Sequence, residues 1–239
     1  MSRADEPVAS LFDRNEILPE DPDLEVLHDR EYRVRAFRKD PNLIIRGAVR
    51  DQKPPNLYFD DDPNPLTIHH MQVELSVGFP SLVINDVDVH FETHPNESCP
   101  VITAHYEKLI GLSIARGFTH KVRELFGGPR GCSHTTALLQ AMAPVAVQCF
   151  WSMSASEARK RVARAKSADN IDFVPKAMTA ADREAQFAVN LNTCHVWDAD
   201  GEWVEGLRNG APMEPPLFAV QRLAELGLTP SDWFRRMRS

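Results

Sequence analysis

An α+β fold is predicted by two features of this 239-residue chain. Apolar and polar residues alternate at strand period through residues 28–94, and helix-period patterning takes over from about residue 99. Strands first and helices second is the order of an antiparallel sheet packed against a separate helical layer. The expectation is about four strands. An extended arm over residues 1–27 precedes a single domain over 28–200, with 28–94 β-rich and 99–187 helical. A helical tail follows over 201–239.

The first strand is read from Tyr32, Val34 and Ala36, which alternate with Arg33 and Arg35. The turn chemistry of Lys39-Asp40-Pro41-Asn42 separates it from a second apolar run, Leu43 to Val49. Residues 52–65 hold Pro54-Pro55 and Asp60-Asp61-Asp62-Pro63-Asn64-Pro65, which regular structure does not tolerate, so a long loop is expected. The clearest hairpin follows. Met71, Val73, Leu75 and Val77 form one face, and Val83, Val87, Val89 and Phe91 face them across Gly78-Phe79-Pro80-Ser81. Pairing Val77 with Val83 gives the shortest loop and sets His70 opposite His90, Gln72 opposite Asp88 and Glu74 opposite Asp86.

In the second half, Ile102, Tyr106, Leu109 and Ile110 predict a short helix ending at Gly111, and another runs from about Thr119 to Phe126. An apolar helix opens at Ser133, with Pro144 as a kink or break. Ser154-Ala155-Ser156-Glu157 reads as a capping box opening a separate basic helix that carries Arg159, Lys160, Arg161, Arg164 and Lys166. Thr179 with Asp182 starts a further helix. Asn192 to Trp197 reads as strand or loop before the turn Asp198-Ala199-Asp200-Gly201, and the tail carries helices near 216–226 and 230–237, the latter capped by Thr229 with Asp232.

Composition removes several classes of function. A net charge of −7 leaves no basic surplus for neutralising phosphates, so no nucleic-acid partner is expected. Four cysteines in a chain of this length suit reduced thiols in a cytoplasmic protein rather than a disulfide scaffold. The first residues, Met1 to Pro7, lack the apolar core of a secretory signal. The longest apolar tract, Ala137 to Trp151, is broken by Gln140, Pro144 and Gln148, so no membrane partner is expected.

Chemistry is concentrated in Gly127-Gly128-Pro129-Arg130-Gly131-Cys132-Ser133-His134, a glycine-rich turn running into the apolar helix. A thiol and an imidazole at the positive end of a helix can bind an anion, hold a metal or react. Other candidates are His69-His70 at the start of a strand, Cys194-His195, and Cys99 after His94. Cys99, Cys132, His134 and Cys194 together would suit Zn or an Fe–S cluster. Zn-ribbon spacing, HExxH, Walker A, a dinucleotide fingerprint and a nucleophile elbow are all missing from the sequence.

His28-x-Arg30 with Tyr32, Asp51-x-Lys53, Ile68-His69-His70-Met71, Cys99, Leu109-x-Gly111-Leu112, Gly117, Val122-Arg123, Gly127-Gly128-x-x-Gly131-Cys132-x-His134 and Asn192-x-Cys194-His195 resemble a bacterial family known as domain of unknown function 2889. The likeness covers roughly residues 28–200, and GGxxGCxH is its most specific element. The chain departs from it with Ser133 in place of Thr, and with Thr135-Thr136 where Leu and a glutamate are usual.

One branch of that family contains γ-formaldehyde lyases of lignin-dimer catabolism that act on phenylcoumarans. The resemblance implies a cofactor-free carbon–carbon lyase taking a small aromatic substrate. On that reading His70 or His134 is the base and Lys53, Arg123 or Tyr58 steadies the developing phenoxide. His69, Met71, His90, Cys132, Leu138 and Met142 contact substrate, with Phe91 and Phe150 as further apolar lining. The alternatives are a Cys/His metal-binding protein or metal-dependent hydrolase, and a non-catalytic small-molecule-binding domain. The tail helices and proline-rich loops point to subunit packing in a homodimer.

Overall fold

The computed structural model describes residues 18–167, 179–212 and 214–233. Four strands form one antiparallel sheet in sequence order: β1 (Asp29–Lys39), β2 (Asn42–Lys53), β3 (Leu66–Gly78) and β4 (Ile84–Thr93). Next come a 3-10 segment over Cys99–Leu109, helix α1 (Phe118–Phe126) and helix α2 (Ser133–Ser167). Helices α3 (Ala180–Phe187), α4 (Glu202–Arg208) and α5 (Leu217–Glu225) complete the order. The fold is α+β, with the four strands preceding the helices as the periodicity predicts.

The chain divides into two compact units, residues 1–149 and 150–239, and the boundary falls inside α2. The first unit holds the sheet. Strand alternation sends Leu43, Ile45 and Val49 of β2 and Met71, Val73, Leu75 and Val77 of β3 to one buried face. Leu138, Leu139 and Met142 of α2 are fully buried as well. Gly47 is where sheet and helix touch: a Cβ there would lie 2.7 Å from Met142 Sδ and 3.0 Å from Leu138 Cδ1. In the second unit, Phe187, Val204 and Leu207 form a small core of their own, with Leu191 and Trp197 packed against it.

Three local expectations are corrected. The β3–β4 register is displaced by two residues: Gln72 faces His90, Glu74 faces Asp88 and Ser76 faces Asp86, while His70 faces Thr93. The cause is tertiary. Val83 does not pair with Val77 but bridges to Ser113, while Ile84 exchanges backbone hydrogen bonds with Leu112 and Gly111. Val77 therefore pairs with Ile84, and a bulge follows between Ser76 and Val77. Between the two bulges the shift is an even number, so Val87, Val89 and Phe91 keep their face, whereas at the start of β4 Ile84 takes the buried place expected of Val83.

The expected helix before Gly111 is a 3-10 segment, and Gly111 closes it with φ of +87°. α2 runs through Pro144 without breaking, so the Ser154 capping box starts no separate helix. In the basic run, the side chains of Arg161, Arg164 and Lys166 lie outside those described, as does that of Asp182. The Asn192–Trp197 stretch is turn and 3-10 rather than strand. Helical backbone begins at Pro230, where the Asp232 carboxylate accepts from the Thr229 N–H at 2.9 Å; residues 234–237 of that expected helix are beyond those described.

Candidate functional site

The apolar face of β2 runs Leu43, Ile45, Gly47, Val49 and then Asp51, so a carboxylate continues a greasy row. Asp51 is buried, with 1% exposure. An isolated buried carboxylate is costly, and the surrounding strands supply what it needs. Arg30, directly opposite on β1, donates from Nε to Oδ1 at 2.5 Å and from Nη2 to Oδ2 at 2.7 Å. This is the bidentate geometry in which a guanidinium matches a carboxylate. His28, two residues before Arg30 and on the same side of the chain, brings Nε2 to 3.4 Å from Oδ1. From β3, His69 pairs with Asp51 across the strands and places Nδ1 3.2 Å from Oδ2. That nitrogen is buried and makes no hydrogen bond, so the ring lies beside the carboxylate without pointing at it.

The start of α2 supplies the last group. Gly131 admits no side chain, since a Cβ there would lie 2.6 Å from the Phe126 carbonyl oxygen. Tyr106, fully buried, accepts the Cys132 N–H on its hydroxyl at 2.8 Å and fixes the turn. His134 then sits with Nε2 3.0 Å from Asp51 Oδ2 and its ring stacked on His69 at 4.0 Å between centroids. Its Nδ1 is 3.7 Å from Cys132 Sγ. A thiol, an imidazole and a buried carboxylate are thus in series.

Electrostatics gives these groups different protonation states. Burial pushes the Asp51 carboxyl up, but hydrogen bonds from Arg30 and its charge, aided by His134 and His28, outweigh burial and hold the pKa at about 2. Burial, then His69, pulls the His134 pKa below the ordinary histidine value, against the opposing pull of Asp51. Near neutral pH His134 is an unprotonated imidazole with a carboxylate behind it.

The structure brings together His69, His134 and Cys132 of the residues singled out in the sequence. Lys53 lies two residues beyond Asp51 at the end of β2, past the irregularity between Asp51 and Gln52. The other candidates are placed elsewhere. His70 alternates to the opposite face of the sheet, beside Glu31, Arg33, Ala48 and Arg50. His90 is exposed and paired with Glu92 at 3.0 Å. Arg123 is exposed on α1, and Tyr58 is exposed in the long loop. Met71, Leu138 and Met142 are core side chains with at most 1% exposure, so they offer a substrate no surface. Phe91 is likewise buried.

Cys99, Cys132 and His134 of the expected thiol metal set do not gather, and Cys194 lies in the second unit. Among the described residues, the group of three with ligand atoms within 4.8 Å of one another is Asp51, His69 and His134, with no cysteine in it. Those nitrogen and oxygen donors are chemically suited to Zn or Fe(II), whereas an Fe–S cluster needs gathered thiolates. Two observations disfavour a cation even there. The imidazole planes are only 28° apart at 4.0 Å separation, so they do not converge on one point in front of both nitrogens. Arg30 already occupies both Asp51 oxygens.

Three members of the cluster, His28, Arg30 and Asp51, carry no assigned role in the sequence reading. Their signal was available: a charged residue prolonging the apolar face of β2, and a His-x-Arg pair on one face of β1. Tyr106 reads in the sequence only as an apolar helix position.

The family model for proteins of unknown function DUF2889 matches residues 28–148, just over half of the chain. The chain belongs to the DUF2889 family. The matched region contains every residue of the cluster and stops one residue short of the unit boundary at Cys149. Asn192, Cys194 and His195, expected to share the likeness, lie beyond it. No curated protein and no solved structure matches this DUF2889 chain. No helix among its described residues is long and apolar enough to cross a membrane.

Proposed function

We propose that this DUF2889 protein is a cofactor-independent lyase in which His134 is the general base and Asp51 its orienting carboxylate. The observation that carries the reading is an imidazole whose Nε2 lies 3.0 Å from a buried carboxylate while Nδ1 faces the half-buried Cys132 thiol. With Nε2–H turned to Asp51, Nδ1 carries the lone pair that takes a proton, and Asp51 stabilises the imidazolium that results. A base whose pKa lies below the ordinary histidine value is available at neutral pH.

The substrate class rests on the resemblance to the phenylcoumaran lyases. His134 takes the proton of the primary γ-hydroxyl, and the Cβ–Cγ bond breaks with release of formaldehyde. The electron pair forms the Cα–Cβ double bond and opens the dihydrofuran ring to a phenoxide, which recovers the proton. Lys53, two residues beyond Asp51 on β2, is the candidate cation for the phenoxide. The substrate's rings are not held by Met71, Leu138 or Met142, which are core. The exposed residues nearest in the chain to His28 and Arg30 are Leu24, Val26, Leu27 and Tyr32, and they offer aromatic and apolar contact.

The test is formaldehyde release from a phenylcoumaran alcohol by the purified protein, with His134→Ala and His70→Ala alongside. Loss in the first variant and retention in the second is expected. Parent-like turnover by folded His134→Ala removes the base. Loss of activity on chelation, restored by added metal, removes the cofactor-free scheme.

A further inference from the structure

The mechanism above leaves one reactive group of the cluster without a task. Cys132 is half-buried immediately before α2, and its Sγ lies 3.7 Å from His134 Nδ1. The turn fixes it there. Gly131 has no room for a side chain, and the Cys132 N–H donates to the buried Tyr106 hydroxyl at 2.8 Å. On the far side of the imidazole, Asp51 lies 3.0 Å from Nε2 and is itself gripped by two Arg30 nitrogens.

Thiol, imidazole and carboxylate in this order make up an activated sulfur nucleophile. The ring takes the thiol proton as sulfur attacks, and the carboxylate steadies the imidazolium that forms. Two of the other cysteines are differently placed. Burial pushes the Cys149 thiol up and keeps it protonated, and Cys194 is exposed in the second unit.

The position of the sulfur also bears on the lyase product. A neutral imidazole with Nε2–H turned to Asp51 has a single lone pair, on Nδ1, and the thiol addresses it. A substrate hydroxyl that gives its proton to Nδ1 approaches the same lone pair, so its oxygen comes to rest beside Sγ. The carbon bearing that hydroxyl is the one released as formaldehyde, and the aldehyde therefore forms against the sulfur.

We propose that Cys132 is a nucleophilic thiol that captures the released formaldehyde as a hemithioacetal. The inference rests on the lyase reading. Once the phenoxide has recovered its proton, His134 is again a neutral base. Sγ adds to the carbonyl carbon, an S–C bond forms and the C=O π bond opens onto oxygen. Nδ1 takes the thiol proton and passes it to that oxygen, giving S–CH2–OH with no electron donor or acceptor required. Release is the reverse: His134 takes the hydroxyl proton, the S–C bond breaks and the thiol is restored. Capture keeps a reactive aldehyde off the amines of the protein while the aromatic product departs.

Formaldehyde added directly to the full chain tests the capture without any phenylcoumaran, so the result is separable from that of the lyase assay. Iodoacetamide labelling of the folded protein, mapped by mass spectrometry, reads each cysteine. Labelling of Cys132 is expected to fall about tenfold or more in His134→Ala, with that of Cys194 unchanged. Formaldehyde is expected to protect Cys132 at concentrations that leave Cys99 and Cys194 fully labelled. Carbon-13 NMR with labelled formaldehyde should show a hemithioacetal carbon that Cys132→Ser loses and Cys194→Ser retains. Equal labelling of Cys132 in the parent and in folded His134→Ala overturns the activation. Protection that is missing at Cys132, or shared equally by every cysteine, overturns the capture. If circular dichroism shows that either variant fails to fold, the protection pattern of the parent decides. Selective protection without formaldehyde release from a phenylcoumaran removes the lyase reading and leaves Cys132 as an aldehyde-capturing thiol.

Discussion

His69 and His70 are neighbours in sequence and opposites in circumstance. His69 lies on the inner face of the sheet against a buried carboxylate and a stacked imidazole. His70 lies on the outer face, its Nε2 3.4 Å from the Gln72 amide nitrogen. The same contrast holds for the two Arg–carboxylate pairs. Arg30 grips a fully buried Asp51, whereas Arg46 meets a Glu74 that is 40% exposed. Coulomb attraction between identical groups is several-fold stronger where water is excluded, and so is the penalty for losing a partner. One face of the sheet can therefore tune an imidazole, while the other offers only screened charge.

That contrast is broken most severely at His134. Its replacement by Ala should lower turnover by about 10²–10⁴-fold, and His70→Ala should leave it unchanged. Steady-state formaldehyde release measures both, and equal losses would abolish the distinction between the faces.

Next in size is Arg30→Ala, which strands a buried Asp51 charge. We expect a loss of about 3 kcal/mol, at the low end for broken buried pairs because Arg30 is itself 38% exposed. Urea unfolding reads the change, and a loss below 1 kcal/mol, as for a surface pair, would show that water reaches Asp51. Gly47→Ala should cost about 1–3 kcal/mol by driving a methyl group into Met142 and Leu138. The same denaturation assay would contradict this by giving parent stability.

Smaller still is the effect of pH. Because the His134 pKa is lowered in the fold, the unfolded chain takes up the proton first as pH falls through the ordinary histidine value near 6.5. Stability therefore declines on acidification below that point, and activity stays flat from neutrality down to it. Asp51 acts lower: its contribution is complete above the ordinary carboxyl value of 3.8 and drains away as pH falls towards about 2. A stability profile rising between neutrality and pH 5 would reverse the sign assigned to His134. The least effect is expected from Glu74→Ala, whose exposed pair with Arg46 is worth about 0–1 kcal/mol to the monomer.

Periodicity alone determined the number of strands, the inner faces of β2 and β3 and the glycine-initiated helix carrying Cys132 and His134, because these depend on neighbours two to four residues away. Even the misread β3–β4 register preserved the faces of Val87, Val89 and Phe91, since a shift of two leaves alternation intact between the bulges. Only the tertiary structure decided that Val83 bridges to Ser113 rather than pairing with Val77, that Pro144 sits within an unbroken helix, and that His69 rather than His70 meets His134. It also decided that Asp51 is the hub of the cluster. Burial is a property of everything packed around a residue, and a carboxylate separated by 83 positions in sequence from the imidazole it orients leaves no local pattern to read.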